Sequence, residues 1–461
     1  MDRRRDHRIA ALMTDMKLDQ RPEQALYRTH FAQWNELIGA REPAWLRARR
    51  EAAFARFEAL GFPTTRQEPW RFTNIAPLLR VPFRLAAAWP ERSLPDEWLA
   101  PYREWAAHHL VFVNGHFVGE IPADGRAHGV LARGIRALLG EDPGIVEPHL
   151  AGCAEDASNA FTALNAAFLT DGAFVRIPRG TVVETPIHLL FLTLDEGTPV
   201  VTHPRNVILA EENSQATIIE SYVSLGDGPY FTNAVTEIWA GENAIVQHYK
   251  VQRESRAAFH IASVRIAEER TATVLDFSLA LGAALARTDI VAILKGEGAE
   301  CTLNGFYWAR DQQLVDHHTV IEHVAPHGTS REFYKGILDD EARGVFDGTI
   351  IVRPGAQKTD AQQVNKNLLL STDALVNTNP RLQILADDVK CSHGATIGHL
   401  DEDALFYCRS RGLDAETARE LLTYAFASDI LNTIAFGPLR RSIGEWVLTE
   451  WPEGERLKEL L

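Results

Sequence analysis

The stretch 240-AGENAIVQ-247 decides the reading of the fold, because versions of it return along the chain. The other copies are 210-AEENSQATII-219, 267-AEERTATVL-275 and 295-KGEGAECTL-303. Aligned on Glu212, Glu242, Glu269 and Glu297, the steps are 30, 27 and 28 residues. Each copy is an acidic, small-residue turn followed by a β-rich run. A weak repeat of this length marks a solenoid, whose units cannot bury an apolar face alone and therefore stack. Within a unit the side chains alternate: Leu275, Phe277, Leu279 and Leu281 point one way, the period of a strand. The segment is too rich in β-formers for helical repeats and carries no leucine-rich consensus. A parallel β-helix is the expected architecture, with a β-sandwich or jelly roll as the competing arrangement.

Outward from this core the texture changes on both sides. Upstream, 23-EQALYRTHFAQWNELIGA-40 and 43-PAWLRARREAAFARFEALG-61 read as amphipathic helices, the second with Pro43 at its start and Gly61 as a stop. The segment 62-FPTTRQEPWRFTNIAPL-78 is turn-rich with embedded aromatics, and 110-LVFVNGHFV-118 reads as a hairpin around Asn114-Gly115. Downstream, Asp401 and Asp414 are placed to cap two helices, Gly412 ends the first, and a third follows Gly437-Pro438. The expected organisation is a mostly helical domain over 1–150, a solenoid over 151–400 and a helical segment over 401–461. In the last, Ala418, Leu421, Leu422, Ala425, Phe426 and Ile430 form an apolar stripe. It either packs on the solenoid or docks another protein.

Bulk properties exclude several functions. A length of 461 residues exceeds one ordinary core. The net charge of −15 argues against a nucleic-acid surface and against docking on anionic membranes. No apolar run reaches a membrane span. The basic start MDRRRDHRIAALM has too short an apolar run for a signal peptide, so a cytoplasmic location is expected. Four cysteines, Cys153, Cys301, Cys391 and Cys408, show no paired spacing and suit a reducing compartment. There is no P-loop, HExxH or GxSxG sequence.

Two histidine-bearing segments are candidate metal sites. The first, 316-DHHTVIEHVAPHGTSRE-332, holds His317, His318, His323 and His327. On one strand His317 and His323 share a face but lie about 20 Å apart, and His318 faces the other way, so surface or ladder roles are favoured. The second is 386-ADDVKCSHGATIGHL-400. Cys391 and His393, two residues apart, share a strand face with Cα atoms about 6.6 Å apart. Thiolate and imidazole suit zinc, iron or an iron–sulfur centre. Two ligands leave the site open, so others must come from adjacent coils or another chain. The bland alternative is a small buried cysteine beside a hydrogen-bonded histidine. Cys301 is expected to be a packing thiol; Cys153 and Cys408 fall in helical surroundings.

Long runs of the chain resemble a known family. They are 293-ILKGEGAECTLNGFYW-308, the segment 316–371 from DHHTVIEHVAPHGTSRE to VNKNLLLS, and 384-ILADDVKCSHGATIGHLDEDALFYCRSRGL-413. The upstream runs 61-GFPTTRQEPWRFTN-74 and 159-NAFTALNAAFLTDGAFVRIPRG-180 are similar to that family too. The family is SufB/SufD of the SUF iron–sulfur cluster assembly system, and the KCSHGAT run fits its SufD side better. The resemblance implies a right-handed parallel β-helix between helical ends. It implies a non-catalytic scaffold that pairs with SufB through the β-helix regions and docks SufC, an ABC-type ATPase, on its C-terminal helices. By motif position, Cys391 and His393 would serve a transient iron–sulfur cluster or iron shared with the partner chain. No nucleotide would bind this chain itself, and without partners it could form a homodimer. Cys408 stands where the family pattern leads one to expect an aliphatic residue. The rival functions are a β-helical carbohydrate-active enzyme and a stand-alone metal-binding protein.

Overall fold

The recurring turns are where the chain reverses, and one residue in each adopts left-handed backbone. In the computed structural model, which describes residues 22–37, 42–88, 94–106, 108–122, 129–150, 159–195 and 197–449, these residues are Asn213 (φ 58°), Asn243 (55°), Thr271 (54°), Gly298 (71°), His327 (61°) and Lys358 (64°). Each donates its N–H to a carbonyl one turn further on. The acceptors are Glu242, Arg270, Glu297, Pro326, Gln357 and Asp388, at 2.6–3.1 Å. This ladder corrects the sequence alignment at one point. The third copy is in register at Arg270, not Glu269, so the steps are 30, 28 and 27 residues, as the pairings Gln215–Ile245–Thr273–Glu300 also have it.

Between these turns the chain runs in ten-residue strands that stack in parallel into two sheets. One ends on Leu375–Ile384 and the other on Lys390–Gly398. The result is a parallel β-solenoid of about eight turns. The sandwich alternative is excluded by the parallel register.

The hairpin expected around Asn114-Gly115 is present, with both residues at positive φ (50° and 77°). Its first strand, His108–Val113, continues the second sheet beside Ile187–Thr193. Leu131–Gly134 pairs with Ala173–Ile177, and Arg84–Leu85 with Val200–Thr202. The sheets therefore begin well before the border expected at residue 150.

Helices α1 (Pro22–Leu37) and α2 (Ala44–Leu60) pack with α3 (Ala160–Phe168) over one flank. Tyr27, Phe54, Phe57 and Phe168 make the contact. The buried Arg50 guanidinium ties the layer together, bonding Glu42 and the carbonyls of Ala167 (3.0 Å) and Leu169 (2.6 Å).

At the other end α4 (Glu402–Ser410) and α5 (Ala415–Leu431) are capped by the Asp401 and Asp414 carboxylates as expected. Gly412, at φ 99°, stops α4. Gly437 and Pro438 open α6 (Gly437–Thr449), which therefore begins two residues earlier than read from the sequence. Helices α5 and α6 lie on the outer face of the second sheet. Phe277, Leu279, Leu281, Phe306 and Ile337 meet Ala427, Ile430, Ile434, Ile443 and Val447 there. The alternating apolar set 275–281 thus faces these helices, and its opposite face, Val274, Asp276, Ser278 and Ala280, lines the lumen.

Glycines make room for aromatic rings in that lumen. A Cβ on Gly305 would lie 2.0 Å from the Tyr334 ring, and one on Gly336 would lie 2.2 Å from the Tyr307 ring. Overpacking of this kind costs about 1–3 kcal/mol. Gly336→Ala is expected to lower the unfolding free energy by that amount, read as a lower midpoint in a denaturant titration. An unchanged midpoint would mean that the Tyr307 ring moves aside freely.

Candidate functional site

The last coil differs from those before it. Among the described residues Lys390–Gly398 pairs only with Asp360–Leu369, and Leu375–Ile384 only with Arg343–Val352, so both sheets of the described structure end in open edges. Such edges offer unpaired N–H and C=O groups to another strand. Their surroundings are apolar as well: Leu375, Ile384, Leu385 and Ile397 are exposed. Exposed large apolar groups gathered at an open sheet end mark an interaction surface.

Cys391 and His393 lie on this end strand, on the same face. Cys391 stacks on Ala361 and His393 on Gln363, both of which are buried. Cys391 is half-buried against the lumen residues, while His393 is exposed. Burial, reinforced by the nearby Asp360 charge, pushes the Cys391 thiol up, against an opposing backbone hydrogen bond at Ala361. The free chain therefore carries a protonated thiol at neutral pH, and metal binding must displace its proton. Among the described residues no group of three or more His, Cys, Asp or Glu side chains converges on a metal-sized site. Cys391 and His393 are thus two side chains on one strand face, with no third such group gathered beside them among the described residues.

The other sequence candidates are dispersed. His317 is buried between the Tyr307 and Tyr334 rings. His318 faces outward onto Asp316, His323 bonds Ser330, and His327 is a turn residue. Cys301 is buried in the lumen as expected, and Cys408 is half-buried on α4. Cys153 lies outside the described residues. The apolar stripe of α5 is split. Ala418 and Ile430 are fully buried, Ile430 against the solenoid, so Ile430, expected to meet a partner, is not on a surface at all. Leu421, Leu422 and Phe426 are half-buried, and Ala425 is exposed. Phe426 already serves an internal contact: the Lys335 ammonium sits over its ring, bonds its carbonyl (2.8 Å) and pairs with Asp429. On α4, Phe406 and Tyr407 are exposed aromatics, at 73 % and 59 %.

Comparison with known proteins bears on this arrangement. Residues 191–426 match the family described as SUF system FeS cluster assembly, SufBD core domain. Residues 21–189 match the SufBD protein N-terminal region. The chain belongs to the SufB/SufD family. An iron-sulfur cluster assembly SufBD family protein of Synechocystis is 36% identical over 421 residues, 89% of this chain and 92% of that protein. The iron-sulfur cluster assembly protein SufD of Escherichia coli is 31% identical over 400 residues, 86% of this chain and 91% of that protein. The assembly protein SufB of Bacillus subtilis is 25% identical over 308 residues, 66% of this chain and 65% of that protein. This SufB/SufD family member is thus SufD-like, and its place is in iron–sulfur cluster assembly. No described helix is long and apolar enough to cross a membrane.

One set of residues in this SufB/SufD chain was not anticipated. Charged groups sit among the apolar side chains that line the lumen. His248 lies between Asp276 (Nδ1 to Oδ1, 2.6 Å) and Glu220 (Nε2 to Oε2, 3.1 Å), and all three are fully buried. Tyr222 and Thr236 also donate to Glu220. Both neighbours of the ring are acceptors, so both ring nitrogens carry protons. Burial alone would lower the His248 pKa. The hydrogen bonds with Asp276 and Glu220 outweigh it and raise it to about 9. Two residues on along the same strand, Lys250 bonds His260 (2.9 Å), which lies 2.8 Å from Glu254. The signal in the sequence was the same 30-residue step: polar residues recur at inward strand positions once the strands are aligned on their turns.

Proposed function

We propose that the chain is a scaffold subunit of a SUF assembly complex, without turnover of its own. It pairs with a SufB-type paralogue through the open end of its solenoid. It contributes Cys391 and His393 to iron or a nascent cluster that the partner completes, and it docks a SufC-type ATPase on its C-terminal helices. The observation that carries this reading is the end coil, where an open sheet edge, exposed apolar side chains and two soft-metal ligands coincide. Nucleotide-driven closure of two docked ATPases would pull on the helices, and the solenoid would pass the movement to the shared edge, a two-state element biased by nucleotide. The work takes place in the cytoplasm.

An anaerobic, low-salt pull-down with native mass measurement tests the assembly. The expected product holds this chain, a β-solenoid paralogue and two copies of an ATPase. A chain that emerges alone or only as a homodimer would remove the shared-site reading.

The docking surface is narrower than the whole stripe. Leu421, Leu422 and Ala425 remain available on α5, with Phe406 and Tyr407 on α4. Ala425→Glu, at an exposed position, is expected to weaken ATPase docking about tenfold or more while leaving the unfolding midpoint unchanged, because a charge placed in the core of an interface is left desolvated and unpaired. Titration of the ATPase by calorimetry measures it. Unchanged affinity would assign the stripe to internal packing alone.

A further inference from the structure

Beneath His393 the lumen holds a two-step polar chain. Gln363, one coil below in register with His393, is fully buried. Its Nε2 donates to Glu332 Oε2 at 2.6 Å, one coil further down in the same ladder. In this contact the Gln363 amide turns its NH2 towards Glu332, whose carboxyl oxygen accepts. Its carbonyl Oε1 then has no hydrogen-bond partner, although it is buried. The space for this amide is built in: a Cβ on Gly348 would lie 2.1 Å from Gln363 Nε2. A buried acceptor that goes unused calls for an explanation. Adjacent strands lie about 4.8 Å apart, and side chains in register share a face, so the next group above that acceptor is the His393 side chain.

We propose that Gln363, held by Glu332, is a positioning residue for His393. Its side-chain carbonyl accepts the N–H of one imidazole nitrogen and so presents the other nitrogen, as a lone-pair donor, to the metal. This rests on the reading of His393 as a metal ligand. The ring is exposed in the free chain, and the bond forms when metal and the partner edge draw it over the coil. Partners of this kind set the tautomer and orientation of a ligating histidine, and their loss typically costs 10–100-fold in metal affinity.

The test is anaerobic Co2+ titration of the co-purified complex, followed by ligand-field absorption, with native mass as the check on assembly. Gln363→Met keeps length and bulk but removes the acceptor, and it is expected to weaken Co2+ binding about tenfold or more. The exchanged pair Glu332→Gln with Gln363→Glu restores an acceptor towards His393 and a donor behind it. It is expected to return affinity to within about threefold of the parent. If Gln363→Met does not assemble, Gly348→Ala displaces the amide instead, with the same expected loss. His393→Ala is the reference. If it weakens Co2+ binding while Gln363→Met does not, the positioning role is overturned and the site stands. If the exchanged pair is as weak as Gln363→Met, Gln363 only fills space and the proposal fails. If His393→Ala binds Co2+ like the parent, the ligand reading itself falls, and the positioning role with it.

Discussion

Replacing His393 by alanine is expected to remove most cluster assembly while leaving the complex whole. The imidazole is exposed on an edge strand, so its loss takes no packing from the core. Surface truncations of this kind change stability by less than about 0.5 kcal/mol. The chemical consequence is far larger. Cys391 remains, but its thiol is held up by burial and is a poor ligand until a metal displaces the proton. On the proposed reading, a neighbouring imidazole on the same metal would make that displacement favourable. Loss of a direct ligand costs at least as much as loss of a residue that orients one, so a fall of about tenfold to a hundredfold in reconstituted cluster is expected. Visible absorption after anaerobic reconstitution gives the yield, and native mass gives the assembly state. A normal yield in an intact complex would take the role away from His393.

Replacing His248 by leucine is expected to produce the largest loss of stability in the solenoid. The imidazolium lies between two fully buried carboxylates, and without it Asp276 loses its hydrogen-bonded cation and Glu220 keeps only its bonds from Tyr222 and Thr236, with Lys250 as the remaining buried positive charge near both. Breaking a buried charge network by removing one partner costs about 3–5 kcal/mol. That is a large part of the stability of a typical domain. The network also has a pH signature. The folded pKa of His248, about 9, is above its ordinary 6.5. Its contribution is therefore complete below about 6.5 and is lost as pH rises through about 9. Glu220 runs the other way. Burial alone would raise it, but the bond to His248 outweighs burial and holds it at about 2 against an ordinary 4.5. Its contribution is present above 4.5 and is lost as pH falls towards 2. Melting temperatures followed by far-ultraviolet circular dichroism should decline between pH 6.5 and 9 in the parent and be nearly flat over that range in His248→Leu. Equal slopes in the two proteins would show that His248 is neutral in the fold.

The element types were legible because they rest on local chemistry. Asp401 and Asp414 cap helices wherever a helix starts after them, and Asn114-Gly115 turns a hairpin whatever surrounds it. The repeat was legible from its turns, since Asn213, Asn243 and Gly298 tolerate the left-handed backbone that each reversal needs. The slip at Glu269 arose because acidic residues decorate the turn without setting it: the backbone bond that fixes register runs from Thr271, the left-handed residue at that turn, to the Glu297 carbonyl, and Arg270 holds the place of Glu242. Cys391 and His393 could be placed together on one strand face from their spacing alone.

What the sequence determined by itself was the strand period, the step of the coils, the caps and the candidate ligand pair. Only the tertiary structure decided which face of each strand looks inward. Leu275, Phe277, Leu279 and Leu281 share one strand face, and that face meets the helices, while the lumen takes, among apolar side chains, charged groups that neutralise one another across coils. Only the fold showed that Ile430 is buried and Ala425 is free, because the helix axis is rotated by what it packs on. Only the fold set Gln363 and Glu332, 30 and 61 residues before His393 in the chain, in one column beneath it. The physical reason is the same in each case. Alternation and turn geometry are set within a few residues, whereas burial and charge pairing are settled by neighbours one coil away.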